Sequence, residues 1–410
     1  MPLIADFHIH SKFSRACSKN LTLPNIAAAC EVKGIDLVAT SDFTHPAWMK
    51  HVEEELEEIR PGIFALTGAR SKTKFLLVTE ISSIYSQGGK VRRVHNLIFA
   101  PSLAAAKKFI LVLESRGCNL KSDGRPIIGL SSIELLRICQ EISPDMELVP
   151  AHAWTPWYSV FGSKSGFDSL EECFGDLTPY VHAIETGLSS DPLMNAQVKA
   201  LDEILLISNS DAHSLEKLGR EANIFTIDCT SAYTYADILC AIREKKSGVL
   251  QQTIEFFPEE GKYHIDGHAV CNFSCTPQET KKLHGLCPVC KKSLTVGVLS
   301  RVIDLSTRKN FDEVIHSAQQ HTYIIPLAEL IAFALHVGPT SKKIKPIYDA
   351  LIASCGSEFE VLLHTPIEKI SANSSQEIAH VLFEMRNKKL KLISGYDGIF
   401  GKILIEKTKK

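Results

Sequence analysis

The sequence predicts an α/β protein built around a (β/α) barrel, and three observations carry that prediction. Short apolar runs of strand length recur through residues 1–230, helix-like stretches fall between them, and most of the runs end in His, Asp or Glu. Seven or eight such units over that length match a barrel, in which functional side chains gather at the C-terminal ends of the strands.

The elements follow in order. Residues 3–7 end in His8-Ile9-His10, 35–40 in Ser41-Asp42, and 75–79 in Glu80. Residues 147–151 end in His152, 181–184 in Glu185, and 204–210 in Asp211-Ala212-His213. His95 is the exception, because it opens its run (95–99) instead of closing it. Between the runs, a helix over Leu23–Lys33 is closed by Gly34, a residue that accepts the left-handed conformation of a helix end. Another spans 131–142, with Ser131 or Ser132 as N-cap and Glu134 in the first turn. These units define a first domain over 1–250. A cysteine-rich module follows at 265–300, and a mainly helical, basic region at 301–410. In that last region helices are expected from Leu327 to His336, from Ile347 to Ser354, and from Ser375 to about Arg386, with a turn at Gly395-Tyr396-Asp397-Gly398.

Composition narrows the class. A chain of 410 residues with 45% apolar and 22% charged residues is ordinary for a soluble globular protein. No apolar stretch approaches the roughly 20 residues needed to span a bilayer, so no membrane partner is expected. The N-terminus lacks the basic start and long apolar run of a secretory signal, and a cytoplasmic location is expected. The twelve cysteines are then read as reduced thiols, several in apolar settings such as Ile138-Cys139 and Leu239-Cys240. Charge is split: residues 1–290 hold 28 Lys and Arg against 35 Asp and Glu, whereas 291–410 hold 17 against 12. An acidic front suits cation binding. A basic back, ending Lys407-Thr408-Lys409-Lys410, suits a polyanion such as nucleic acid.

The strand-end residues have the chemistry of metal ligands. Side chains alternate along a strand, so His8-x-His10 presents both imidazoles on one face, where they can chelate one cation. Asp211-x-His213 repeats that geometry, and Glu80 has the chemistry to bridge two ions. Zn²⁺ and Mn²⁺ accept such a mixed set, while Mg²⁺ prefers oxygen. Separately, Cys271-x3-Cys275 and Cys287-x2-Cys290 supply four thiolates in two close pairs, enough for a closed tetrahedral structural zinc, with Lys281, Lys282, Lys291 and Lys292 beside the second pair. A closed site performs no chemistry, so it folds a small module and helps hold nucleic acid.

The segments Asp6-Phe7-His8-Ile9-His10-Ser11, Thr40-Ser41-Asp42, Thr79-Glu80 and Ser210-Asp211-Ala212-His213 resemble the motifs of the PHP (polymerase and histidinol phosphatase) family. That resemblance implies a distorted (β/α)7 barrel with two or three divalent metals (Zn²⁺, Mn²⁺ or Mg²⁺) and the cleavage of phosphoesters. It implies His8, His10, Glu80 and Asp211 at one metal, and Glu80, His95 and His152 at a second. The sequence departs at the third site, where Asp42 is followed by Phe43 and not His, and where Arg15, Ala16 and Cys17 replace an expected ligand. His45 and His213 are the substitutes.

A barrel of this kind followed by a four-cysteine ribbon and a helical tail resembles the endonuclease Q family of DNA-repair enzymes. The likeness rests on residues 14–19, Asp42-Phe43-Thr44-His45-Pro46, residues 185–192 and Cys287-Pro288-Val289-Cys290, and Asp-Phe-Thr-His is that family's form of the second motif. It implies hydrolysis of DNA on the 5′ side of uracil, hypoxanthine, xanthine or an abasic site. The damaged nucleotide would leave the stack, which costs a few kcal/mol and least for damaged bases. Asp42 and Glu185 are the candidate catalytic carboxylates, Glu185 as a contact to base or metal. Arg15 and Lys19 are candidate phosphate contacts, and Trp154, Trp157 and Tyr158 candidates to stack or wedge. A sliding clamp is a candidate second partner, although no clamp-binding peptide stands out at the C-terminus. Two other readings compete: a small-molecule phosphatase of the histidinol-phosphatase type, which needs neither ribbon nor basic tail, and a non-enzymatic DNA-binding module, against which the near-complete ligand set argues.

Overall fold

A computed structural model describes residues 1–68, 71–308 and 310–404, so the basic end Lys407-Thr408-Lys409-Lys410 lies outside the described residues. The strand Pro2–Asp6 sits inside an eight-stranded sheet. On one side it runs parallel to Leu37–Ala39, which is parallel in turn to Lys74–Leu76. On the other it is antiparallel to Ala222–Asp228, followed by Leu250–Phe256 and His321–Ile324. Past Leu77 the chain continues as Val78–Gln87, which opens a second sheet with Lys90–Phe99, Glu147–Pro150 and the short Ile127–Ile128. Ala183–Glu185 and Leu205–Ile207 form a parallel pair.

Alternating runs predict parallel units throughout, and the observed fold is mixed. Gly88 and Gly89, both at positive φ, close a two-residue hairpin between Val78–Gln87 and Lys90–Phe99, which makes that pair antiparallel. This explains His95: its strand runs against its neighbours, so a residue in mid-strand reaches the place others reach from strand ends. Backbone bonds lead on around the molecule, from Ala151 N to His95 O, Ala153 N to Glu185 O and Thr186 N to Ile207 O. They return to the start through Phe7 N on Asn209 Oδ1 and His10 N on Ala212 O. The ligand-bearing segments therefore converge.

Local signals fix the helices. Leu23–Lys33 ends on Gly34 at φ +89°, and Ser132–Ile142 begins with a reciprocal capping box between Ser131 and Glu134. In the C-terminal region Leu327–Ala334, Ile344–Cys355 and Gln376–Arg386 form, the last capped by Ser375. That region also supplies the strand His321–Ile324, and its buried Leu327, Leu330, Leu351 and Leu382 join the same apolar core as Phe7 and Phe99. Cys275, Cys287 and Leu294 form a separate small core. No helix among the described residues is long and apolar enough to cross a membrane.

Candidate metal centre

His8 and His10 follow the strand Pro2–Asp6, whose end is tied down by Asp6: its Oδ1 accepts from Ser210 N and its Oδ2 from Gly219 N. Both imidazoles are buried and converge with two carboxylates. His8 Nε2 stands 3.2 Å from Glu80 Oε2 and 3.6 Å from Asp211 Oδ1. His10 Nε2 stands 3.4 Å and 3.0 Å from the same two oxygens. The other oxygen of Glu80 faces a second pair, 2.6 Å from His95 Nδ1 and 3.4 Å from His152 Nε2. Ligand atoms of His8, His10, Glu80 and Asp211 all lie within 4.8 Å of one another, as do those of Glu80, His95 and His152. Glu80 is common to both groups.

These residues suit cations on two counts. Despite these close approaches, His8 Nε2 and Glu80 Oε1 are buried and make no well-directed hydrogen bond, a costly arrangement that a bound cation would relieve. Burial disfavours charge on both His8 and His10. The surrounding carboxylates outweigh it, raising His8 well above 6.5 through Glu185 and Glu80, and His10 to about 9 through Asp211 and Asp42. His95 goes the other way, lowered to about 4 by burial. Glu80 and Asp211 are held far below the usual carboxylate range against their burial, Glu80 by His95 and Arg125, Asp211 by His8 and His10. Protons and a cation therefore compete for the nitrogens of His8 and His10. Four residues here also carry left-handed backbone: Ser41, Asp42, His152 and Asp211, at φ +57°, +37°, +30° and +46°. Such conformations are costly for non-glycine residues and persist only where their surroundings hold them.

Asp42 and Glu185 lie behind the histidines and not among the ligands. Glu185 is fully buried and accepts from His8 Nδ1 at 3.0 Å, Asn209 Nδ2 at 2.8 Å and the main-chain NH of His152 at 2.7 Å. Because a carboxylate only accepts, Nδ1 of His8 carries a proton, and Nε2 is the nitrogen that can coordinate once a cation displaces its own. Asp42 Oδ1 stands 3.5 Å from His10 Nδ1, while Asp42 Oδ2 accepts from Ser11 N and Ser14 Oγ. An expected contact of Glu185 to a base is not what this burial provides.

Of the substitutes for a third site, His213 lies against the first group, its ring centre 4.5 Å from that of His10 and its Nδ1 3.6 Å from Asp211 Oδ1, while neither it nor His45 joins a ligand group among the described residues. The His45 ring stacks on Phe13 at 4.6 Å, and His213 Nδ1 donates to the Asp211 carbonyl. Among the described residues no third group forms at this site. At the cysteine module His268 joins Cys271, Cys287 and Cys290 within 4.8 Å, whereas the Cys275 thiol turns to Thr280 Oγ1 at 3.2 Å. The hairpin of Asp266–His268 with Phe273–Cys275 delivers His268, which a count of cysteines overlooks.

Of the aromatic candidates, Trp154 needs correcting as a DNA contact. It is 1% exposed, packs on Phe161 at 4.7 Å and donates Nε1 to Asn195 Oδ1, so it belongs to the core. Trp157 is partly exposed and meets Tyr263 edge-on at 5.8 Å, and Tyr158 lies beside His95 at 4.7 Å. Arg15 and Lys19 are exposed. Sequence reasoning missed Arg125, whose Nη1 reaches Glu80 Oε2 at 3.1 Å. It lies in a turn, Asp123-Gly124-Arg125-Pro126, with no apolar run to announce it.

Residues 326–389 match the family described as the MJ0043 C-terminal domain. Protein MJ0043 of Methanocaldococcus jannaschii is 31% identical over 264 residues, 63% of this chain, and the chain spans about a third of that protein's length (32%). Protein YqxK of Bacillus subtilis is 29% identical over 98% of this chain and 99% of its own. The crystal structure of the lesion-specific endonuclease PfuEndoQ from Pyrococcus furiosus is 32% identical, with a TM-score of 0.85 over 99% of this chain and 96% of that one. The structure of Endonuclease Q in complex with a 27-mer duplex carrying an abasic lesion at the active site is 33% identical, with a TM-score of 0.86 over 99% and 97%.

Proposed function

This chain belongs to the endonuclease Q family, and from that premise we propose that it is a metal-dependent, lesion-specific DNA endonuclease. It hydrolyses the phosphodiester 5′ of a deaminated base (uracil, hypoxanthine or xanthine) or of an abasic site, in DNA repair. The observation that carries the reading is Glu80 shared between two buried ligand groups, in a chain whose near-full-length relative is seen bound to lesion DNA.

In this reading residues 1–250 form a distorted PHP barrel, 265–300 a structural zinc module and 301–410 a basic helical region. His8, His10, Glu80 and Asp211 would hold one divalent cation, and Glu80, His95 and His152 another. Bound cations of this kind supply water activation and charge stabilisation for an in-line displacement at phosphorus. The chain's own part is positional. Glu185 and Asp42 fix the ring orientation of His8 and His10 through their Nδ1 atoms, and the Thr155 hydroxyl, 3.3 Å from His152 Nδ1, does the same for His152. Trp157, Arg15 and Lys19 supply an aromatic face and charge for the strand. A sliding clamp stays a candidate partner of the same complex, to be tested by co-elution.

The test is a labelled duplex carrying one deoxyuridine, deoxyinosine or abasic site, incubated with the protein and Mg²⁺, Mn²⁺ or Zn²⁺. A nick on the 5′ side, lost in Asp211→Asn, supports the reading. Turnover of histidinol phosphate without nicking would replace it with the small-molecule phosphatase.

A further inference from the structure

Arg125 has no role in the reading so far, yet the fold goes to some length to deliver it. The turn at 123–126 lies directly against the second motif. Gly124 donates its NH to Phe13 O, and a Cβ at Gly124 would stand 2.3 Å from Asp42 Oδ2 and 2.4 Å from Ser14 Oγ. Asp42 cannot retreat, because Ser11 N and Ser14 Oγ pin that same oxygen. Only glycine lets the turn come this close. Asp123 then braces it, its Oδ1 accepting from both Arg15 N and Arg125 N, and Ser82 N donates to Pro126 O.

The outcome is a guanidinium at the shared ligand. Arg125 Nη1 donates to Glu80 Oε2 at 3.1 Å, the oxygen that also faces His8 and His10. Its side chain remains 25% exposed, and among the described residues this is the guanidinium's one hydrogen bond. Guanidinium carries five N–H donors in a fork that matches the oxygens of a phosphate. Charge completes the argument. The two ligand groups hold two carboxylates, Glu80 and Asp211, so a pair of divalent cations would carry two more charges than their direct ligands neutralise, which occupies Glu185 and Asp42 behind the histidines and leaves none for Arg125. With Glu80 Oε2 engaged as a ligand, the guanidinium needs another counter-charge.

We propose that Arg125 is a catalytic residue that clamps a non-bridging oxygen of the scissile phosphate. The inference rests on the phosphoesterase reading, and it assigns to this turn the recognition of the phosphate itself, whichever base is attached. The contact with Glu80 Oε2 orients the guanidinium toward the site.

The experiment uses full-length protein loaded with Mn²⁺, in wild-type, Arg125→Lys and Arg125→Met forms. Inorganic phosphate is titrated in by calorimetry, bound manganese is measured by mass spectrometry, and single-turnover nicking of a deoxyuridine duplex is timed. The expected result is unchanged manganese per chain, phosphate affinity at least about 10-fold weaker in Arg125→Met, and nicking slower by roughly 10²–10³-fold, the size seen when one donor to a developing anion is removed. Arg125→Lys, which keeps charge without the fork, falls between and also serves should Arg125→Met not fold. Unchanged phosphate affinity, or loss of manganese, overturns the proposal, since the residue would then serve only Glu80. If phosphate binding depends on Arg125 but wild type nicks no lesion duplex, the lesion-specific function fails and the clamp stands. If wild type nicks and phosphate is indifferent to Arg125, the clamp alone fails.

Discussion

The two histidines of His8-x-His10 are each backed by a buried carboxylate, and this pairing sets which nitrogen meets a cation. Glu185→Gln removes the charge and replaces one accepting oxygen with an NH2 that must face a donor, either Asn209 Nδ2 or His152 N, so the hold on His8 Nδ1 weakens. Metal affinity should fall by about 10–100-fold, the usual cost of losing such a partner, in a competition titration with a chelating dye. An unchanged affinity would mean that packing alone orients His8. The two tryptophans separate in the same way. Trp154→Phe should lower the melting temperature, because a buried hydrogen bond to Asn195 goes, while leaving affinity for a lesion duplex intact. Trp157→Ala should weaken that affinity and spare the melting temperature. The sequence exposed the ligand types here but could not separate ligands from the carboxylates behind them, since both sit at strand ends.

Elements bring these residues into register through a few tight contacts. After Ala183–Glu185 the chain turns at Gly187, φ +66°, where a Cβ would stand 2.6 Å from His152 Cβ and 2.8 Å from its Cα. Gly187→Ala should push His152 away and cost the second cation while the first is retained, read as metal equivalents per chain. With the zinc of the cysteine module counted, wild type should hold three equivalents and the variant two; three in the variant would overturn this. A second test concerns the short helical turn Pro258–Glu260. Burial, with help from Glu329 and Glu259, raises the Glu260 carboxyl from 4.5 to about 8. Between those values the folded protein keeps a proton that the unfolded chain gives up, so stability falls as pH rises through this window and levels above it. Glu260→Gln should make the fall in melting temperature between about pH 5 and pH 9 shallower, the remainder coming from Glu255 and Asp6, which burial raises to about 8 and about 6; the same slope in both proteins would assign the effect elsewhere. Helix ends such as Gly34 and Ser131 were legible because capping is local. The direction of Lys90–Phe99 was not, because the Gly88-Gly89 hairpin that reverses it was not singled out.

At the scale of the molecule, the cysteine module and the loop beside the candidate metal centre are strapped together. Arg301, on the helix Val298–Leu305 after the module, donates to Phe161 O at 2.8 Å and to Phe167 O at 2.9 Å, and pairs with Asp168 at 2.6 Å. Those residues belong to the loop that starts at His152, and Ser163 adds a bond to Val296 O. Arg301→Ala should loosen that loop, raising protease sensitivity between 152 and 168 and weakening binding of the cation held by His152 more than the one held by His8. Equal loss at both would point to general unfolding.

By itself the sequence determined the residue types, their places at strand ends, the cysteine pairs and the helix caps, because periodicity and capping act over a few residues. Only the tertiary structure decided what depends on distant segments meeting. It made Glu80 common to two groups, set Asp42 and Glu185 behind the imidazoles, and put Trp154 in the core. It also brought His268 to the thiolates and Arg125 to the shared carboxylate, contacts between segments that meet only in the folded chain, beyond the few residues over which periodicity and capping act.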